Sequence, residues 1–266
     1  MMFRFTLDPI DDIEPWGSPP DLSLSWFGLS LGRYSIVADA FEVLRYSDAA
    51  VSAMRVAQPL CYPGPQVGYQ VVRLHKDLLD IISDVLTPLP CDVAEVLNRQ
   101  TAVATMRRAQ ALASGMEDND PTLMGLEALV DCLGARLLDT AYLEPCPWIL
   151  LWRHSDVIHM EWNGDGQTLY GVPAWQFPSG RIAIGVASYR SAVAKFHSKF
   201  TGLMSVRVAE IQAAWKRPEV HIDYAELIRS QKYREDQLDI ALNRRPKAAD
   251  WEAVKMGLGR CWLHAE

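Results

Sequence analysis

Residues 150–162 read LLWRHSDVIHMEW, and they set His154, Asp156, His159 and Glu161 within eight positions. Imidazoles and carboxylates are the groups that hold zinc and that move protons as general acids and bases. Either chemistry needs the four side chains to converge. A three-residue turn centred on His154-Ser155-Asp156 pairs Arg153 with Val157, Trp152 with Ile158 and Leu150 with Met160. It gathers Trp148, Leu150, Trp152, Ile158, Met160 and Trp162 on one apolar face, whereas a shift of one residue sets Trp152 against His159 and mixes the faces. His159 and Glu161 then share the opposite face, and His154 and Asp156 sit in the turn. On this pattern the stretch is a hairpin that packs three tryptophans into a core, with no metal and no cofactor expected.

Other chemistries lack their motifs. The chain has no G-x-x-x-x-G-K-[ST], no G-x-S-x-G, no kinase signature, and no H-E-x-x-H or H-x-E…C-x-x-C. GLGRCW follows a helical pattern rather than a strand, so a dinucleotide fold fails on context. The six histidines are dispersed. The cysteines, Cys61, Cys91, Cys132, Cys146 and Cys261, are odd in number with no C-x-x-C, which reads as reduced thiols in a cytoplasmic protein. No catalytic residue is assigned.

The elements around the hairpin follow from hydrophobic period. FRFTL, LSLSWFGL, RYSIV and FEVLRY alternate as strands, with corners at Gly-Arg and Asp-Ala, giving an N-terminal sheet over 3–47. Helices are expected over 69–86, ended by Pro88 and Pro90; over 92–113, with Asp92 as N-cap; and over 122–138, with Thr122 as N-cap. TLYGVPAWQF and RIAI add strands. Tyr189, Val193, Phe196, Phe200, Met204, Val208, Ile211 and Trp215 recur at helical steps and predict a long helix over 186–216. Asp223 caps a helix over 224–244, and a last helix spans 249–258. The fold class is α+β, antiparallel sheet elements packed against several long helices. The organisation is one domain over 1–266: sheet 3–47, central helices 69–138, hairpin 147–163, C-terminal helices 186–262.

Charge is uneven. Residues 1–180 hold 11 basic and 23 acidic residues, a net of −12, and residues 181–266 hold 15 basic and 10 acidic, a net of +5. Two stretches carry acids without any base. One has Asp8, Asp11, Asp12 and Glu14; the other has Glu117, Asp118 and Asp120. Such a face repels nucleic acid and attracts a basic protein. The plainer alternative is a solvated surface that cancels against the basic C-terminal helices. No run approaches the length of a membrane span, and the N-terminus is not basic and then apolar as a secretion signal is, so a cytoplasmic protein without a membrane partner is expected.

FRFTLDPIDDIEPWG, LSWFGLSLGRYSI, RLLDTAYL and WRHSDVIHMEW, in that order, resemble an uncharacterised family of bacterial proteins, a domain of unknown function with an immunity-protein-like character. The resemblance spans most of the chain. It implies a bacterial cytosolic protein and carries over no catalytic residue.

The expected function is a cytosolic protein-binding module, in its most specific form an immunity protein that neutralises a basic toxin. Asp8, Asp11, Asp12, Glu14, Glu117, Asp118 and Asp120 are the expected contact residues. The alternatives are a subunit of a larger bacterial assembly and an enzyme whose site is assembled from scattered residues.

Overall fold

The computed structural model describes residues 2–58, 64–117, 120 and 122–262. In chain order the elements are β1 (Phe3–Leu7), β2 (Leu31–Ala38), β3 (Phe41–Val43), α1 (Asp48–Ala57), β4 (Val67–Gln70), α2 (Val71–Leu86), α3 (Cys91–Arg99), α4 (Ala102–Ala113), α5 (Leu123–Gly134) and β5 (Leu137–Leu138). There follow β6 (Trp148–His154), β7 (Val157–Asn163), β8 (Thr168–Leu169), β9 (Val172–Pro173), β10 (Ser179–Gly185), α6 (Val186–Ala214), α7 (Tyr224–Glu235), α8 (Gln237–Asn243) and α9 (Trp251–Trp262). The α+β class is as expected, with every strand pairing antiparallel. The chain divides into two compact units. The first comprises residues 1–79, 168–177 and 190–243; the second comprises 80–167, 178–189 and 244–266.

In the first unit β2 pairs with β1 on one edge and with β3 and β4 on the other. Phe3 stands opposite Ile36 and Phe5 opposite Tyr34, so these four share one face, and all four are buried. Phe196 and Phe200, one helical turn apart on α6, pack edge-on against Phe5 with centroids 5.3 and 5.8 Å away. The apolar stripe of α6 and the alternation of β1 are thus two halves of one core.

Several expectations for this unit are corrected. LSLSWFGL is not a strand. Only Ser23 bridges, to Trp16 and His221, and Gly28–Ser30 is a turn of 3-10 helix. Ser25 Oγ accepts from Gly28 N and Ser30 Oγ donates to the Phe27 carbonyl. Such side-chain bonds offer the backbone a turn in place of a ladder. Gly32-Arg33 is no corner but lies inside β2, where a Cβ on Gly32 would meet the Thr6 carbonyl oxygen at 2.1 Å. The Asp39-Ala40 corner is as expected. Helix α1 was not anticipated, although Ser47 caps it by accepting from Ala50 N. Residues 69–70 belong to β4 rather than to α2. The expected 224–244 helix is divided at Asp236 into α7 and α8; the cap at Asp223 is present, accepting from Glu226 N at 2.9 Å.

The second unit is built on a sheet of order β10-β7-β6-β5. Its core joins Leu97 of α3, Met106 of α4, Leu129 and Leu133 of α5, Trp152 of β6 and Val254 of α9. The hairpin is present, but its register differs by one residue from expectation. His154 pairs with Val157 and Trp152 with His159, which leaves a two-residue turn, Ser155-Asp156, with Ser155 at φ 54°. Trp152 and Trp162 therefore lie on opposite faces, each buried.

The expected 92–113 helix is two helices broken at Gln100-Thr101, and its N-cap is Pro90 rather than Asp92. The expected 122–138 helix stops at Gly134, and Leu137–Leu138 pairs with β6 instead. Thr122 holds the N-cap position but its side chain does not cap. The last helix runs further than expected, to Trp262.

Candidate functional site

At the C-terminal end of α6, residues 207, 210, 211 and 214 share one face of the helix. This face and the segment Pro9-Ile10-Asp11 wall a groove of about 540 Å³ in the first unit. Ile10, Ile211, Ala214 and Trp215 supply apolar lining, and the charged lining is two acids, Asp11 and Glu210, with two cations, Arg207 and Lys216.

The acidic segment is held by its backbone. Arg207, buried at 9% exposure, donates from Nη1 to the Leu29 carbonyl at 2.8 Å and from Nη2 to the Asp8 carbonyl. Burial pushes the pKa of Arg207 down, opposed by the nearby Asp8 and Glu210 carboxylates. Arg217 Nη1 donates to the Ile13 carbonyl at 3.1 Å, while its Nε pairs with Glu219. Both arginines therefore grip main-chain oxygens. The carboxylates of Asp11, Asp12 and Glu14 project from a pinned loop, exposed, with no ion pair among the described residues. Asp8 is only half-exposed. Trp16, two residues beyond Glu14, is 63% exposed.

The second acidic stretch behaves otherwise. Asp120 accepts from Thr122 N at 2.8 Å and from Thr122 Oγ1 at 2.5 Å, and these bonds hold its carboxyl below the usual range. Its charge serves the entry to α5. Glu117 is exposed; Asp118 lies outside the described residues. Elsewhere in the second unit, acids from the first part of the chain meet C-terminal cations: Asp131 with Lys247 at 2.9 Å, and Asp92 with Lys255 at 3.1 Å. Here the cancelling surface is the better description. Among the expected contact residues, the structure brings Asp8, Asp11, Asp12 and Glu14 into one loop, and places Glu117 and Asp120 in the other unit.

The set His154, Asp156, His159 and Glu161 also needs correction. In the observed register His154, His159 and Glu161 share a face with Trp152. They remain divided by their partners. His159 stacks on Trp152 with centroids 5.2 Å apart, and its pKa is lowered by burial, by Arg181 and by His154. Asn98 lies 3.2 Å from His154 Nδ1. Asp156 is in solvent. Glu161 is buried and accepts from Ala102 N, Val103 N and two nitrogens of Arg181. No group of three or more His, Cys, Asp or Glu among the described residues is placed to hold a metal ion.

One buried pair escaped sequence reasoning altogether. His75 Nε2 lies 2.9 Å from His197 Nδ1, and His197 Nε2 lies 3.1 Å from the Glu235 carbonyl. A carbonyl only accepts, so His197 Nε2 carries a proton and donates there. The neutral ring leaves Nδ1 as acceptor, and His75 Nε2–H donates to it. Burial, with His197 and Arg234 beside it, depresses the His75 pKa to about 3. The residues stand 122 positions apart, so no local spacing announces them.

Of the cysteines, Cys91, Cys132, Cys146 and Cys261 are free thiols; Cys61 lies outside the described residues. No described helix is long and apolar enough to cross a membrane.

The fold and groove thus define an α+β protein with a pinned acidic loop beside an apolar cleft. The chain belongs to DUF5984, a family of unknown function, whose pattern it matches over residues 2–257. No curated protein and no solved structure was found to match it.

Proposed function

We propose that the chain is a bacterial cytosolic binding module that captures a basic protein segment in the groove between the Pro9-Ile10-Asp11 segment and α6. The observation that carries the reading is the way Arg207 and Arg217 grip the carbonyls of Asp8 and Ile13. The loop is ordered through its backbone, while the carboxylates of Asp11, Asp12 and Glu14 stay available. A surface ordered before encounter loses less freedom on binding, and fixed charge of one sign speeds association with the opposite sign. The apolar lining would receive an aliphatic or aromatic side chain flanked by lysines or arginines. The most specific form of the reading is an immunity protein that neutralises a basic toxin.

The test is affinity capture from the native host with wild type and with Asp11→Lys/Asp12→Lys, at low and high salt. A basic protein retained by wild type, lost from the double variant and released by salt is the expected result. Equal recovery by both baits, or turnover of a small molecule by the chain alone, would overturn the reading.

A further inference from the structure

Four residues on the outer side of α6 form one stripe. Lys199, Leu203, Val206 and Glu210 recur at steps of four, three and four, which sets them on a single helix face over about 16 Å. All four are exposed, and Leu203 and Val206, at 41% and 54%, are the large exposed hydrophobics of α6. The core of the first unit takes another side of the helix, through Phe196, Phe200, Met204, Val208 and Ile211.

The charges at the two ends of the stripe are not neutralised within the chain. Lys199 and Glu210 make no ion pair among the described residues. Lys199 lies 4.9 Å from the Phe5 ring centroid, a contact that leaves the ammonium its full charge. Arg207, one turn before Glu210, commits its guanidinium to the Leu29 and Asp8 carbonyls. Gly202, Ala209 and Ala213, all exposed, flank the stripe on one side. A Cβ on Gly202 would meet nothing within 4 Å, so a second helix has room to approach closely.

The order cation, apolar, apolar, anion is complementary to itself. Two copies of α6 laid antiparallel, with a two-fold axis between residues 204 and 205, set Leu203 of each copy against Val206 of the other. The same axis sets Lys199 of each copy against Glu210 of the other. A parallel arrangement would oppose lysine to lysine and glutamate to glutamate, which repel. Alternating steps of three and four are those of a two-helix seam, and a two-fold interface requires one patch that complements itself. We propose that this face of α6 binds a second copy of the chain as an antiparallel, two-fold dimer. Two apolar side chains from each copy make a small interface, so the dimer is weak and reversible. The face shares Glu210 with the acidic groove, but the purified chain alone tests it, so dimerisation and capture of a basic protein stand or fall separately.

The test is sedimentation equilibrium of the full chain from about 5 to about 500 µM, a range that spans weak association. Weight-average mass should rise with concentration toward that of a dimer. Leu203→Gln/Val206→Gln, at two exposed positions, should stay monomeric throughout with an unchanged melting midpoint. Lys199→Glu and Glu210→Lys each turn two attractions into repulsions, and each should raise the dissociation constant about tenfold. The double exchange Lys199→Glu/Glu210→Lys should return it to near the wild-type value. Wild type that remains a monomer at about 500 µM would overturn the proposal, as would a dimer indifferent to Leu203→Gln/Val206→Gln. Single reversals that the double exchange does not repair would overturn the antiparallel pairing.

Discussion

Arg181 on β10 stands directly opposite Glu161 on β7, and together they hold open the break between α3 and α4. Glu161 accepts from Ala102 N and Val103 N, the first N–H groups of α4. Arg181 donates to the carbonyls of Leu97, Asn98 and Gln100, the last of α3 and the residue after it. The end groups of two helices are thus satisfied by one ion pair. The guanidinium also lies over Trp152, 5.2 Å from the ring centroid.

Removing one partner of this pair should be strongly destabilising, because the other charge stays buried. Arg181→Met is expected to lower stability by about 3–5 kcal/mol, read from urea unfolding. Arg181→Met combined with Glu161→Gln should recover part of that loss. A single variant within about 0.5 kcal/mol of wild type, the range of ordinary surface changes, would show that the pair does not secure the break.

Gly125 of α5 and Gly257 of α9 bring two helix backbones together. A Cβ on Gly257 would lie 2.2 Å from the Gly125 carbonyl oxygen, which is main chain and has no rotamer to escape by. Gly257→Ala should cost about 1–3 kcal/mol through forced separation of the helices. Gly259→Ala, with open space around its Cβ, is the matched control. Thermal melting of the two variants checks this, and equal midpoints would contradict it.

Stability should fall on acidification through the His75–His197 pair. His75 has a folded pKa near 3, against 6.5 when unfolded, and burial also lowers His197, opposed by Glu235 and Asp239. The unfolded chain therefore binds protons below pH 6.5 that the native state refuses. The stabilisation is complete above 6.5 and is lost as pH drops toward 3, by about 1.4 kcal/mol per pH unit for each proton taken up. Urea unfolding of wild type and His75→Leu at pH 7 and pH 4.5 measures it. The variant should show the shallower dependence, and parallel curves would count against the pair.

Charge reversal of the acidic loop should act on association rather than on folding. Asp11→Lys/Asp12→Lys is expected to leave the melting midpoint nearly unchanged, since neither side chain makes an ion pair among the described residues. It should slow association with a captured basic partner and flatten the dependence of that rate on salt. The same change at Glu117 should have the smaller effect. Stopped-flow rates at two ionic strengths distinguish the outcomes.

Local pattern settled much of this protein. The stripe from Tyr189 to Ile211 specifies α6, which ends at Ala214, just short of Trp215, because a 3.6-residue period needs no distant partner. FRFTL specifies β1 for the equivalent reason at period two, and Asp223 announces its helix because a cap acts within one turn. What failed to show locally depended on remote partners. The hairpin was evident, but its register was not. Whether Glu161 can be buried beside Trp152 depends on Arg181, twenty positions on, and on N–H groups 58 and 59 positions away. The same ion pair divides a stretch whose apolar period runs on unbroken into α3 and α4. Charge followed the same rule. The acidic excess of residues 1–180 is a property of the chain order. The fold sets Asp131 and Asp92 against C-terminal lysines, commits Asp120 to Thr122, and leaves Asp11, Asp12 and Glu14 displayed. Periodicity is written in neighbours, whereas neutralisation depends on residues that only tertiary folding brings within a few ångströms.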